Sequence, residues 1–255
     1  KYLHTSGKYN NVYADKELRG GGTGEESLDL LLVLHNRHEF PLHPDRKGDA
    51  RDFMRRGNIK HDNKYVRAEN NKDGDSYGQF AFDHYYGKGS RWERKSILIK
   101  EGIFVVLDKY KGSSVIGEEY NVGPIWHVGY DAPVKEGKQS NNWFDVPPLD
   151  NAWWKKRESR LLILCHPHPQ AGYGRIKQRN SQDTSPNVTA YSYRPVKAFK
   201  NEYFLTIFVP YDLPFDKTVI LKNTESNITG DGVAEVNLKY QNIKIVLGDS
   251  WSVTR

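Results

Sequence analysis

The sequence is short of cysteine and methionine, and it has no long apolar run. Among 255 residues there is one Cys, at 165, and one Met, at 54. A single Cys excludes an intrachain disulfide and any cysteine-cluster zinc site. The longest apolar runs, Leu30 to Leu34 among them, are the length of a buried strand and far below the about 20 residues of a membrane helix. One-sided charge is also missing. The 38 Lys+Arg against 32 Asp+Glu give a net charge of +6, too mild to argue for nucleic acid. Helical periodicity is almost absent as well. The chain begins at Lys1 without an initiator Met or signal sequence, so the expectation is a processed or excised piece of something longer.

What is present is a series of short β-branched and aromatic runs punctuated by Gly, Asn, Asp and Pro, the pattern of strands and turns. The clearest pair is Trp92–Lys100 and Ile103–Tyr110, joined by a two-residue Glu101-Gly102 turn in which Gly supplies a positive φ. Ile103 to Leu107 is nearly all apolar, which predicts a central strand covered on both faces. Val236–Tyr240 and Ile243–Leu247 form a second hairpin around Gln241-Asn242, and Trp251–Thr254 closes the sheet. Further strands are predicted at Leu28–Leu34, Lys64–Ala68, Tyr77–Tyr86, Ile125–Val128, Arg160–Cys165, Val188–Tyr193, Glu202–Val209 and Thr218–Lys222. The fold class is therefore all-β, a large antiparallel sandwich with about 12–16 strands and little helix. The whole chain, 1–255, reads as one domain with a weak seam near residues 131 to 152, a polar, proline-bearing stretch expected to be loop.

Several segments carry a likeness to a known family. Glu26-Ser27-Leu28-Asp29-Leu30-Leu31-Leu32 is followed by Phe40-Pro41-Leu42-His43-Pro44-Asp45 and by Arg55 through Val66. Arg94 through Asp108 and Trp126-His127 come next, and then Phe204-Leu205-Thr206-Ile207-Phe208-Val209-Pro210. In this order and spacing, over about residues 20 to 255, they resemble the C-terminal β-sandwich domain of heparinase II/III-like polysaccharide lyases. Each motif is loose by itself.

The resemblance implies a sandwich that packs against an N-terminal (α/α) toroid. It implies β-elimination on an acidic, uronate-containing polysaccharide, in a bacterial periplasm or outside the cell. Most catalytic groups, including a Tyr, are implied on the toroid, so the sandwich alone is expected to be inactive or incomplete. The resemblance also implies a His at the groove and, in several members, structural zinc. Here the sequence departs from the family. The position three before Asp29 holds Glu26, and the one immediately before it holds Leu28. Asp45 and His61 match the two remaining zinc positions, with His43 or His38 (His35 is also near) as a third donor. Structural zinc takes four donors, so the alternative is a hydrogen-bonded His and a surface Asp. Glu26 is either a carboxylate base, a sugar contact or a loop charge after Gly20-Gly21-Gly22.

Residues suited to an anionic glycan complete the set. Arg55, Arg56 and Lys60, with Arg51, form a basic cluster before His61, and guanidinium groups grip carboxylates and sulfates bidentately. Trp153 and Trp154 adjoin a second basic run, Lys155, Lys156, Arg157 and Arg160, and aromatic faces pack on sugar rings. Trp143 is expected to be exposed beside them, and Trp92, Trp126 and Trp251 to be core. The first run is also explained as a solvated loop, with Asp49 and Asp52 partly neutralising it, and the second as a strand edge or exposed turn. His166 and His168, at i and i+2 between prolines, face one side of an extended segment and suit a metal if a third donor is near. Cys165 reads as a small buried hydrophobe. The second function class is a carbohydrate-binding sandwich without catalysis, supported by the loss of both expected His residues. The third is a structural domain that binds no sugar.

Overall fold

The computed structural model describes residues 31–35, 62–83, 91–112, 120–129, 137–146, 159–177, 187–195 and 199–255. These form sixteen strands in three sheets, every pairing antiparallel, and one helix.

The middle sheet has seven strands. In spatial order they are β2 (Asp62–Asn70), β3 (Ser76–Asp83), β4 (Arg91–Leu98), β5 (Phe104–Lys111), β12 (Asn201–Asp212), β9 (Ser159–Cys165) and β8 (Trp143–Val146). A five-stranded sheet lies on one face: β1 (Leu31–His35), β6 (Tyr120–Gly129), β11 (Asn187–Pro195), β10 (Gly172–Lys177) and β7 (Gly137–Gln139). The other face is covered by β13 (Thr224–Ile228), β14 (Ala234–Leu238), β15 (Ile243–Leu247) and β16 (Trp251–Thr254).

Alternation sorts the side chains of the middle sheet between two cores. Val105, Leu107, Leu162, Leu164, Leu205, Ile207 and Val209 pack with Val236, Ile245 and Leu247 of the four-stranded sheet. Val106, Ile163, Cys165 and Phe208 pack the other way, against Trp126 and Tyr173 of the five-stranded sheet. The predicted two-faced burial of the Ile103–Leu107 run holds, because β5 lies in the middle of a sheet that is covered on both sides. The last strand is tied to the hairpin β2–β3. Trp251 stacks on Tyr77, with centroids 5.8 Å apart, and its indole N–H donates to Glu69 at 2.8 Å.

The hairpin turns follow local chemistry. Gly102 has φ 82° and donates its N–H to Ile99 O at 2.8 Å. The loop is three residues, Lys100 to Gly102, one longer than expected, because Ile99 and Ile103 still pair across it. Asn242 takes the left-handed conformation, φ 57°, that the second hairpin requires. That strand ends at Leu238, so Lys239 and Tyr240 belong to the turn.

Two expectations are corrected. Thr218–Lys222 is part of a helix, α1 (Lys217–Asn223), and not a strand. The Asp216 side chain accepts the Thr218 N–H at 2.8 Å, and this cap outweighs the β-branched composition of Thr218-Val219-Ile220. The stretch 131 to 152 is not all loop, since β7 and β8 run through it. Trp143 and Phe144 there are inward residues of an edge strand, and Trp143 is half-buried against the aliphatic core rather than exposed. Trp92 and Trp126 are core as expected, while Trp251 is only partly buried.

Candidate functional site

The site residues expected from the sequence, Glu26, His38, His43, Asp45, Arg55, Arg56, Lys60, His61, Trp153 and Trp154, all lie outside the described residues. The glycine run at 20–24 and Tyr85-Tyr86 also lie outside them. Arg160 of the second basic run is described, and it is committed. Its Nε donates to Asp145 at 2.9 Å, and Tyr211 and Lys217 bind the same carboxylate at 2.9 and 2.8 Å. Arg160 therefore anchors β9 to β8.

The family-like motif residues Arg94, Asp108 and Trp126 come together as a buried cluster. Arg94 and Asp108 are directly opposed across β4 and β5. The guanidinium donates to both carboxylate oxygens at 2.6 Å. Trp92 adds an indole N–H to Asp108 at 2.9 Å. The Arg94 cation lies 4.5 Å from the Trp126 ring centroid. Asp108 is fully buried, so this constellation fixes the fold and is closed to substrate.

The described chemistry that reaches the surface lies where β9 ends. Asn142 brackets that end, accepting the Cys165 N–H at 2.8 Å and donating to the Cys165 carbonyl at 2.6 Å. His166 then donates its backbone N–H to Leu205 O at 2.9 Å. His166 and His168 each precede a proline, which holds both in extended backbone. The imidazole Nδ1 of His166 is 2.9 Å from Ser226 Oγ. His168 Nδ1 accepts the Gln170 N–H at 3.2 Å, so in the neutral ring the proton is on Nε2. Burial holds both imidazoles below their ordinary pKa, and the nearby Arg194 charge adds to the effect.

Arg194 is the residue that sequence reading missed. It is 6 % exposed. One terminal nitrogen donates to Tyr203 O at 2.5 Å and pairs with Glu202 at 3.1 Å. The guanidinium covers the Phe204 ring at 4.6 Å. Its Nε is buried without a hydrogen-bond partner. The available signal was an Arg two residues after Ser192 in an alternating strand, which turns it inward with the buried serine. Cys165 beside this corner is buried as expected, and burial pushes its thiol up to about 12, so it is no nucleophile at neutral pH. Among the described residues, no three His, Cys, Asp or Glu side chains are grouped to hold a metal. His166 and His168 thus lack the third donor that a metal reading needs.

A cleft of about 210 Å³ opens between the middle and four-stranded sheets, lined by Lys95, Lys109, Tyr203, Asp231 and Asp249, among others. Lys95 is already held by Asp249 at 2.7 Å and by Glu93 at 3.3 Å. With three carboxylates against two ammonium groups on its walls, the cleft does not favour an anion.

No protein-family model matches the sequence, and no curated protein matches it. Solved structures do. The chain is similar to heparan sulfate lyase HepC from Pedobacter heparinus, with a TM-score of 0.50 at 14% identity over 75% of this chain and 28% of that one. It is also similar to heparinase III, with a TM-score of 0.49 at 8% identity over 75% of this chain and 27% of that one. Identity this low shows a shared fold and nothing finer. The chain spans little more than a quarter of the HepC length. Among the described residues no helix is long and apolar enough to cross a membrane.

Proposed function

We propose that this chain is the β-sandwich portion of a polysaccharide lyase that cleaves an acidic, uronate-containing polysaccharide by β-elimination, and that it is incomplete without a helical toroid. The observation that carries this reading is the fold shared with heparan sulfate lyase HepC over three-quarters of this chain but little more than a quarter of that one. The order of the sequence motifs supports it independently. In this proposal 1–255 acts as one domain, in a bacterial periplasm or outside the cell. Arg55, Arg56 and Lys60 neutralise the glycan, Trp153 and Trp154 stack on its sugar rings, and Glu26 takes the place of the groove His. Zinc is not part of the proposal. Asp45 and His61, with His43 or His38 as a third, fall short of the four donors that a structural site takes, and Leu28 supplies none.

A second reading is a carbohydrate-binding sandwich with no catalysis. The specific observation in its favour is that Glu26 and Leu28 replace both expected His residues. One experiment separates the two. The 255-residue chain, and a longer gene product that contains it, are each incubated with heparan sulfate, chondroitin sulfate and alginate. The ultraviolet absorbance of the unsaturated product is followed, and glycan binding is measured in parallel. The lyase proposal expects a rise with the longer protein only. A rise with the 255-residue chain alone overturns its incompleteness. Binding with no rise from either protein overturns the lyase reading in favour of the second.

A further inference from the structure

We propose that the cleft between the middle and four-stranded sheets is a binding site for one uncharged sugar ring. Its size limits the ligand first. A volume of about 210 Å³ is below the roughly 300–1,000 Å³ of clefts that hold drug-sized molecules, so there is room for a single ring. Asp231, Asp249 and Ser250 on its lining are exposed, which leaves the cleft open to solvent.

The walls set the chemistry. Lys109 on β5 stands directly between Glu93 of β4 and Tyr203 of β12. Lys95, two residues along β4, has a side chain only 9 % exposed, and its ammonium holds Asp249 at 2.7 Å and Glu93 at 3.3 Å. An ammonium has three N–H donors, so one remains for an acceptor in the cleft. That acceptor is an uncharged oxygen. Two carboxylates already balance Lys95, and the walls as a whole carry one carboxylate more than they carry ammonium groups. A metal ion does not fit either, since no three acidic or imidazole side chains are grouped among the described residues. Ammonium groups donate and carboxylates accept, and a hydroxyl does both. A molecule ringed by hydroxyls therefore meets both kinds of wall. Leu107, Tyr203 and Val233 supply apolar surface beside them, which suits the C–H groups of a sugar ring. The Tyr203 ring fits there because residue 232 is glycine. Its φ is 81°, and a Cβ would fall 2.1 Å from the ring.

The site does not rest on the lyase reading, which concerns an acidic glycan that this cleft disfavours. The test is an NMR titration of the isotope-labelled 255-residue chain. The probes are the methyl glycosides of glucose, galactose and mannose, N-acetylglucosamine, glucuronate and acyclic sorbitol. At least one uncharged ring is expected to give saturable shifts centred on residues 229–233 and 247–250, with a millimolar Kd. Glucuronate is expected to bind about tenfold more weakly for its charge, and sorbitol about tenfold more weakly for want of a ring. Lys95→Met keeps the buried stem, loses the donor and is expected to weaken binding about tenfold, the scale of one hydrogen bond from a charged group. Asp231→Asn, at an exposed turn, removes the extra carboxylate and is expected to narrow the gap between glucuronate and the uncharged ring. Absence of saturable shifts at the cleft with every uncharged ring overturns the proposal, as does equal affinity for sorbitol or glucuronate. Unchanged affinity in a folded Lys95→Met, or an unchanged gap in Asp231→Asn, overturns it as well.

Discussion

The two faces of the seven-stranded sheet are built on different principles. The face toward the four-stranded sheet is aliphatic at its centre, with Val105, Leu107, Ile207 and Leu205 against Val236, Ile245 and Leu247. Its charges are pushed to the rim, at Lys95 and Lys109 on one side and at Asp145 on the other. The face toward the five-stranded sheet buries Arg94 and Asp108 outright. It also holds four buried polar atoms without partners, Tyr110 Oη, Trp126 Nε1, Thr206 Oγ1 and Arg194 Nε, against two on the four-stranded side, Thr224 Oγ1 and Tyr240 Oη. Apolar burial gives stability that tolerates any register with the same pattern. A directly opposed Arg94–Asp108 pair does not tolerate a shift, because a slip of one residue sends Asp108 into the aliphatic core. The first face supplies cohesion. The second supplies register.

The sharpest break in this comparison is Asp108→Ala. It leaves Arg94 buried without its carboxylate and is expected to cost about 3–5 kcal/mol, read by equilibrium urea unfolding. The double change Arg94→Met, Asp108→Leu is expected to recover most of that loss, because a well-packed apolar pair avoids the desolvation of both charges. On the opposite face Ile207→Ala is expected to cost about 3 kcal/mol by cavity formation, with no apolar or charged partner able to restore it. A loss in Asp108→Ala smaller than in Ile207→Ala would remove the distinction between the faces.

Much of this architecture was legible in the sequence. Strands β15 and β16 fall at the predicted bounds, and the central position of β5 followed from its uninterrupted apolar run. The two left-handed turn positions, Gly102 and Asn242, followed from residue type. Helix α1 was missed because a seven-residue helix with one buried residue, Ile220, has no amphipathic period to detect. Strands β7, β10 and β13 were missed because Gly137-Lys138-Gln139, Gly172-Tyr173-Gly174 and Thr224-Glu225-Ser226-Asn227 are poor in strand formers and owe their state to neighbours. Strand β8 was missed because it is four residues long, Trp143–Val146, in a stretch read as loop from its prolines. The Arg94–Asp108 spacing was visible as a motif, but its structural role was not, since pairing across a hairpin depends on register. Arg194 was invisible for a related reason. Its contacts with Tyr203 and Phe204 join strands of different sheets, and one sequence carries no record of that meeting.

The smallest expected effect tests the rim of the aliphatic face. Burial alone would raise the Asp145 pKa, but bonds from Arg160, Lys217 and Tyr211 outweigh it and hold the carboxyl below its ordinary value of 3.8. A carboxylate whose folded pKa is depressed contributes stability above its unfolded pKa and loses it as pH falls through the folded one. Asp145→Asn keeps the shape and removes the charge, so it is expected to cost about 1–2 kcal/mol at neutral pH. The gap between wild type and variant should stay level from neutral pH down toward 3.8 and close below it. Unfolding curves taken across that acid range check this directly. A gap that never closes would mean that the loss in Asp145→Asn does not come from the carboxylate charge. No gap at any pH would mean that the charged rim adds nothing to the aliphatic face that a neutral amide could not supply.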